Sequence, residues 1–213
     1  MSRSVLEPGP TVFIVDDDVS VREGLEALVA AAGLVPKVFA SAEEFLSHPP
    51  PCSPSCVVLD LNLPDADGLE VQKRLSARQA GVPIIFLTAY GDIPSTVQAM
   101  KAGAVEFLTK PFGTEALLGT IESALERSRV YAAEQAELQL LSERHQSLTS
   151  RERDVLGLVV AGFLNKQVGA ELGLSEITVK AHRGRVMRKM KVRSFAELVR
   201  IAARLGLPTG NRR

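Results

Sequence analysis

The 213 residues predict two domains: an α/β domain on a doubly wound, five-stranded parallel sheet, joined by a helical linker to an all-α helix-turn-helix domain. Short apolar runs alternate with segments of helical spacing over the first 128 residues, whereas the remainder carries helical signals alone. The charge divides at the same place. Residues 1–128 hold 9 basic and 17 acidic side chains, a net of −8, and residues 129–213 hold 16 and 8, a net of +8.

Five apolar runs of the first part are predicted strands, at 11–15, 35–39, 56–59, 82–87 and 105–108. Five segments with helical spacing alternate with them, at 19–32, 42–46, 68–78, 94–102 and 114–127. Strands that are apolar throughout are covered on both faces, which is typical of a parallel sheet between two layers of helices. We place this domain at 10–127.

The second part is predicted to be helical. Residues 128–146 are polar and are predicted to form a helical linker, either separate from the preceding helix or continuous with it. Thr149 and Glu152 form a capping box at the start of the next helix. Asn165 opens a second helix that ends at Gly173, and Ser175 caps a third, over 176–190, with a fourth over 194–205. Two short helices joined by a tight turn have helix-turn-helix spacing, and we place this domain at 147–208.

Composition excludes several classes of protein. Apolar residues at 46% with 23% charged describe a folded, core-forming chain. No apolar run approaches the ~20 residues that cross a bilayer, so no membrane partner is expected. Cys52 and Cys56, the only two cysteines, suggest a reducing, cytoplasmic location. With His48 they offer three possible metal ligands, but structural zinc sites need four, so a proline-rich loop with incidental thiols is the favoured interpretation.

Polar side chains follow four different strands at their carboxyl ends: Asp16 with Asp17, then Asp60, Thr88 and Lys110. In parallel sheets these ends meet at one edge, where ligands bind. Clustered carboxylates suit Mg²⁺, which also binds phosphate oxygens. A lysine and a threonine hydroxyl can contact a phosphoryl group. The set therefore predicts phosphoryl transfer to a carboxylate nucleophile.

Four motifs then resemble the receiver domain of two-component response regulators, a flavodoxin-like fold: VDDD at 15–18, VLDLNLPDADG at 58–68, FLTA at 86–89 and FLTKPF at 107–112. The resemblance implies that Asp60 accepts phosphate from a histidine kinase. It implies that Asp17, Asp60 and the backbone carbonyl of Asn62 hold Mg²⁺, with Asp16 binding through water. Thr88 and Lys110 would then contact the phosphoryl group.

The resemblance also implies a switch in which Phe107 moves with Thr88. The phosphoryl charge would draw Thr88 inward and change the face formed by helix 94–102 and strand 105–108, through which the chain would form a homodimer. The Lys110–Pro111 bond is expected to be cis. Asp18 is expected to cap the helix that follows it, and Asp65 and Asp67 to be loop and cap residues before the helix at Gly68.

Residues 148–207 resemble the LuxR-type helix-turn-helix of FixJ/NarL-type regulators, through LTSRERDVL at 148–156, Asn165-Lys166, TVKAH at 178–182 and Lys189-Met190-Lys191. Helix 176–190 would be the recognition helix, with Ile177, Val179, Val186 and Met190 facing inward. Ten residues are candidates for contact with double-stranded DNA: Asn165, Lys166, Thr178, Lys180, Ala181, His182, Arg183, Gly184, Arg185 and Arg188. Lys180 is the candidate for direct base readout. Thr178, His182, Arg183 and Arg185 are phosphate or flanking candidates.

The sequence thus predicts a response regulator that is phosphorylated on Asp60, dimerises and binds DNA to regulate transcription, with activation favoured and RNA polymerase a possible partner. Two alternatives stay open. One is a phosphatase with an aspartyl-phosphate intermediate, although such enzymes place a second acid where this chain has Asn62. The other is a receiver whose second domain binds protein or RNA. We expect no dedicated enzymatic activity. Whether the oppositely charged domains dock also stays open.

Overall fold

The computed structural model describes residues 9–49, 54–77, 81–89, 97 and 99–210. The chain divides into two compact units, the first up to residue 132 and the second from residue 133 onward.

Five parallel strands form the sheet of the first unit, as predicted. They are β1 (Thr11–Val15), β2 (Val35–Phe39), β3 (Ser55–Asp60), β4 (Ile84–Thr88) and β5 (Glu106–Thr109). Their order is β2-β1-β3-β4-β5. The chain passes from β1 to β2 on one side and returns to β3 on the other. The order therefore reverses at β1 and β3, which is where doubly wound sheets bind ligands.

The three central strands, β1, β3 and β4, are buried on both faces of the sheet. Successive residues of each strand point to opposite sides and so enter two different cores. Phe13, Val57 and Phe86 belong to the core on one face. Their neighbours Val12 and Ile85 belong to the core on the other face, together with Leu117 and Ile121 of the last helix of the unit. The continuous apolar runs of the sequence are thus explained by two hydrophobic cores.

Among the described residues, the sheet is accompanied by α1 (Val19–Ala31), α2 (Ala42–Ser47), α3 (Gly68–Ala77) and α4 (Thr114–Gln146). Of the predicted helix 94–102, residues 97 and 99–101 are helical, and the rest lies outside the described residues apart from Ala102, which is in a turn. Helix α4 has 33 residues. The predicted linker is therefore a direct continuation of the helix that begins at Thr114.

The second unit contains α5 (Ser150–Val160), α6 (Asn165–Leu172), α7 (Glu176–Lys189) and α8 (Phe195–Arg204). Thr149 and Glu152 form the predicted capping box. Gly173 ends α6 with φ 66°, in the left-handed region that favours glycine. Ser175 caps α7 by accepting a hydrogen bond from the Thr178 N–H. Among the described residues, no helix is long and apolar enough to cross a membrane.

One core prediction for α7 was wrong. Val179, Val186 and Met190 are buried, but Ile177 is 80% exposed. The helix turns 100° per residue, so Ile177 lies about 200° from Val179 and points away from the stripe that the other three form.

Candidate functional site: an acidic pocket and a basic helix

Three carboxylates converge where β1 and β3 end. Asp16 follows the last residue of β1 and Asp60 is the last residue of β3, with only 1% and 8% of their surfaces exposed. Asp17 is exposed beside them. One oxygen from each carboxylate lies within 4.8 Å of the others. Hard oxygen ligands at this spacing fit a divalent cation such as Mg²⁺.

Lys110 lies among these acids, after β5. Its Nζ is 2.7 Å from Oδ2 of Asp16 and 2.8 Å from Oδ2 of Asp60. Burial alone would lower the pKa of Lys110, but its hydrogen bonds to Asp16 and Asp60 outweigh that effect and raise it. Burial raises the pKa of Asp16, and the bond from Lys110 offsets part of the rise. The pocket thus holds a permanent cation beside its carboxylates.

Backbone N–H groups fix the two buried carboxylates. Oδ1 of Asp16 accepts a hydrogen bond from the Asp18 N–H at 2.9 Å, and Oδ1 of Asp60 accepts one from the Asn62 N–H at 3.1 Å. Each carboxylate therefore has one oxygen on the backbone and one on Lys110. The guanidinium of Arg22, which the sequence did not single out, donates to the Asp16 carbonyl at 2.7 Å.

Thr88 and Phe107 lie on the neighbouring strands. Thr88 is the last residue of β4 and is fully buried. Its carbonyl accepts a hydrogen bond from the Lys110 N–H at 2.7 Å, which places both residues on one side of the pocket. Phe107 is half-buried in β5 and packs against Phe86, with ring centroids 6.2 Å apart. The Lys110–Pro111 bond is cis, as expected.

The loop after β3 returns the chain tightly past Asp60. The Gly68 N–H donates to the Leu61 carbonyl at 2.9 Å. A side chain at Gly68 would bring a Cβ to 3.0 Å from the Asp60 carbonyl oxygen and 3.1 Å from Leu61 Cα. Contacts this close to backbone atoms explain why the tight return requires glycine.

The acids predicted to lie at caps and in the loop before α3 are found there. Asp18 caps α1 by accepting hydrogen bonds from Ser20 and Val21, and Asp67 accepts one from the Leu69 N–H at the start of α3, both as predicted. Asp65 lies in the loop before α3, as predicted, and accepts hydrogen bonds from the N–H groups of Ala42 and Glu43 at the start of α2. The partner is 22 or 23 residues away, so local sequence gave no signal for it.

The region of the possible thiol site is apolar where it is described. Cys56 is fully buried in the core on one face of the sheet. Burial raises the pKa of its thiol to about 12. His48 contacts the rings of Phe13 and Phe39, which belong to the core on the opposite face. His48 and Cys56 are therefore not co-ligands, and Cys52 lies outside the described residues.

Helix α7 presents an exposed basic face in the second unit. The candidates exposed on it are Lys180, Ala181, Gly184, Arg185 and Arg188. Nζ of Lys180 lies 3.3 Å from Oε1 of Glu176, one turn earlier. Thr178 is half-buried, and its hydroxyl lies 2.8 Å from that of Ser175. His182 is half-buried, with Nδ1 enclosed and without a hydrogen-bond partner.

Arg183 connects three helices of this unit. Its Nη1 donates to Oδ1 of Asn165 in α6 at 2.6 Å, and its guanidinium carbon lies 5.2 Å from the centroid of the Phe195 ring in α8. Lys166, next to Asn165, is exposed. Two of the predicted DNA contacts, Asn165 and Arg183, are thus bonded to each other and hold α7 against its neighbours.

Two ion pairs of the second unit join residues that lie far apart in the sequence, and the sequence did not predict them. Nζ of Lys189 lies 2.6 Å from Oε2 of buried Glu152 and also donates to the Ser147 carbonyl at 3.2 Å. Arg204 forms a bidentate pair with Glu137 of α4, at 2.6 and 2.9 Å. The capping box identified Glu152 in the sequence. The ion-pair partners are 37 and 67 residues apart, however, and no periodic sequence pattern relates residues at such distances.

An acid pocket with a bridging lysine on a flavodoxin-like sheet, and a basic helix-turn-helix in the same chain, define a receiver-type regulator. The model of the response regulator receiver domain matches residues 12–122, and that of the bacterial regulatory proteins of the luxR family matches residues 146–202. The chain belongs to the response regulators that join a receiver domain to a LuxR-type helix-turn-helix, and it is a transcription regulator rather than a dedicated enzyme.

Relatives match both domains together. Nodulation protein W of Bradyrhizobium diazoefficiens is 47% identical over 196 residues, covering 92% of this chain and 86% of the relative. Transcriptional regulatory protein FixJ of the same organism is 40% identical over 196 residues, covering 92% and 96%. The solved structure of the response regulator StyR is similar with a TM-score of 0.78 and 48% identity, covering 92% of this chain and 98% of StyR.

Proposed function

We propose that Asp60 is the phosphoacceptor and that its phosphorylation controls DNA binding by the second unit. The observation that carries the proposal is the pairing of Lys110 with both Asp16 and Asp60 in a pocket of three convergent carboxylates. Three convergent carboxylates repel one another, and one lysine leaves excess negative charge that a bound divalent cation would neutralise.

The chemistry follows from the positions of these groups. One carboxylate oxygen of Asp60 attacks phosphorus, the P–O bond forms as the P–N bond to the kinase histidine breaks, and the ring nitrogen keeps the electron pair. Bound Mg²⁺, held by Asp16, Asp17, Asp60 and the carbonyl of Asn62, would neutralise charge on the carboxylates and phosphoryl oxygens. Lys110 would transfer its hydrogen bond from the carboxylates to a phosphoryl oxygen. Slow hydrolysis of the acyl phosphate by water would release phosphate and restore the free carboxylate of Asp60.

The output is a change beside the pocket, on the side of the sheet that carries β4 and β5. We infer that Thr88 bonds a phosphoryl oxygen and that Phe107 moves into the space it leaves. The face that would change contains strand β5 and the segment of residues 97 and 99–101, where Val97 and Met100 are 43% and 42% exposed. We propose that phosphorylated chains form a homodimer through this face. We further propose that a sensor histidine kinase supplies the phosphoryl group and that the protein acts in the cytoplasm.

DNA contact is proposed for α7 and the start of α6. Lys180 is positioned for base readout, and Ala181 and Gly184 allow close approach of the helix. Lys166, Arg185 and Arg188 are exposed and can bond phosphates. Thr178 and His182 lie at the flank of the same face. Arg183 and Asn165 would act on this contact from within the unit. Activation of transcription is the favoured outcome at the promoter, with RNA polymerase as a candidate partner.

Intact-mass measurement tests the phosphoacceptor. The full chain with Mg²⁺ and acetyl phosphate should gain the mass of one phosphoryl group, and the Asp60→Asn variant should gain none. Asp65→Asn is the matched control, because Asp65 lies in the loop that follows Asp60 but bonds the start of α2. It should gain the phosphoryl group as the wild type does. A phosphoryl group on Asp60→Asn would contradict the assignment.

A further inference from the structure

Ile177 is a large apolar side chain exposed to water near the start of α7. It is 80% exposed, more than Leu164, Val19 or Phe195. Single exposed apolar residues are common on protein surfaces, so exposure alone assigns no role. The position of Ile177 on the helix is more informative.

Ile177 begins a stripe along the outer face of α7. Ala181, Gly184 and Arg188 follow at intervals of four, three and four residues, and all four residues are exposed. Such intervals line one side of an α-helix. The opposite side carries buried residues of the core, Val179 among them. The stripe is therefore the face of α7 directed away from the core of the second unit.

The stripe has a distinctive shape. Ala181 and Gly184 leave its middle almost flat, and a Cβ at Gly184 would meet nothing within 4 Å. Ile177 projects at the N-terminal end, and that end of a recognition helix contacts base edges. Lys180, Arg185 and Arg188 give the surroundings a positive charge that matches the phosphates on either side of a groove.

We propose that Ile177 packs against the 5-methyl group of a thymine in the major groove and selects an A·T pair there. The inference rests on the proposed entry of α7 into that groove. The thymine methyl is the apolar group that base edges display in the major groove, and aliphatic side chains recognise it by contact. Ile177 thus adds a specificity contact to the polar readout assigned to Lys180.

The test removes the methyl group alone. The full chain, phosphorylated with acetyl phosphate, first selects its preferred duplex from a random library. Each thymine of that duplex is then replaced by deoxyuridine, and affinities are measured by fluorescence anisotropy at fixed salt. For the wild type, replacing one particular thymine of each half-site should lower the affinity about fourfold. This is the loss expected when one buried methyl group is removed.

Ile177→Ala completes a double-mutant cycle. It should bind the thymine duplex more weakly than the wild type and show no further loss with deoxyuridine at that position. Leu140→Ala is the matched control, because it removes another exposed aliphatic side chain, from α4 of the same unit; it should keep the wild-type loss. Coupling between Ile177 and one methyl group would establish the contact.

Three results would overturn the inference. Ile177→Ala could remain as sensitive to deoxyuridine as the wild type, or no thymine could show an effect. Ile177→Ala could also bind the duplex normally but reduce transcription in vitro, which would assign Ile177 to a protein partner. A chain that selects no duplex at all would contradict the proposed DNA contact of α7, and the two failures are thereby distinguished.

Discussion

Nζ of Lys110 lies 2.8 Å from Oδ2 of Asp60, so the proposed phosphoacceptor is already paired with a cation before any phosphoryl group arrives. The pair brings residues from the ends of β3 and β5 together across β4. A phosphoryl group on Asp60 would offer Lys110 a doubly charged acceptor in place of the carboxylate. The lysine is therefore positioned to change partner with the phosphorylation state.

Replacing Lys110 should change the affinity of the pocket for a divalent cation. Lys110→Met removes a positive charge that lies against the carboxylates of Asp16 and Asp60, and we expect Mg²⁺ to bind at least about threefold more tightly. Calorimetric titration of each protein with MgCl₂ at pH 8 measures this affinity. Lys73→Met, an exposed lysine of α3, is the control and should leave the affinity unchanged. Weaker binding in Lys110→Met would contradict the account of the pocket.

Glu152 should make the stability of the second unit depend on pH. The hydrogen bond from Lys189, followed by that from the Thr149 N–H, lowers the pKa of Glu152 from its ordinary value of 4.5. A lowered folded-state pKa contributes stability above the ordinary value, and this is lost as pH falls through the folded-state value. Glu152→Gln should therefore lower the free energy of unfolding by about 1–3 kcal/mol at pH 7 and by less below pH ~4.5.

Calorimetric unfolding of the full chain, compared between the wild type and Glu152→Gln from pH 7 to pH 3, measures this difference. Glu171→Gln, at an exposed position of α6, should show little difference at any pH. A deficit in Glu152→Gln that stays constant down to pH 3 would show that the carboxylate charge is not the stabilising feature.

The sequence predicted those parts of the site that depend on chain order and local geometry. The sequence predicted that Asp16, Asp60 and Lys110 lie close together, because the carboxyl ends of parallel strands meet at one edge of the sheet. Asp18 could be identified as a cap because its partners are two and three residues away. Contacts across the fold, such as those of Asp65 with α2, depend on packing that no local pattern records.

Arg183 should act on DNA binding by positioning α7 rather than by contacting phosphate. Its guanidinium is engaged by Asn165 and Phe195. We expect Arg183→Ala to weaken binding of the selected duplex while leaving the slope of log affinity against log salt unchanged. The loss of one phosphate contact would reduce that slope by about one.

Anisotropy titrations over a range of salt give both quantities. Asn165→Ala should reproduce the effect of Arg183→Ala, because it removes the other half of the same hydrogen bond. Arg188→Ala, on the exposed stripe, should reduce the slope. If Arg183→Ala reduced the slope as Arg188→Ala does, Arg183 would be a phosphate contact.

Replacing Gly184 should change the stability of the second unit and its affinity for DNA in opposite directions. It lies within α7 with open space where a Cβ would stand. Gly184→Ala should stabilise the second unit by up to about 1 kcal/mol, because alanine favours a helix. The added methyl group would meet the base edges at closest approach, so duplex affinity should fall. Gly157→Ala in α5, also with open space, should stabilise without that loss. Unchanged affinity in Gly184→Ala would move the DNA face away from this residue.

The affinity of the full chain for its selected duplex, measured with and without acetyl phosphate, tests the central claim most directly. If phosphorylation of Asp60 controls DNA binding, acetyl phosphate with Mg²⁺ should strengthen binding by the wild type and leave Asp60→Asn at the unphosphorylated level. Equal strengthening of both proteins, or no strengthening of a wild type shown to be phosphorylated on Asp60, would contradict the account.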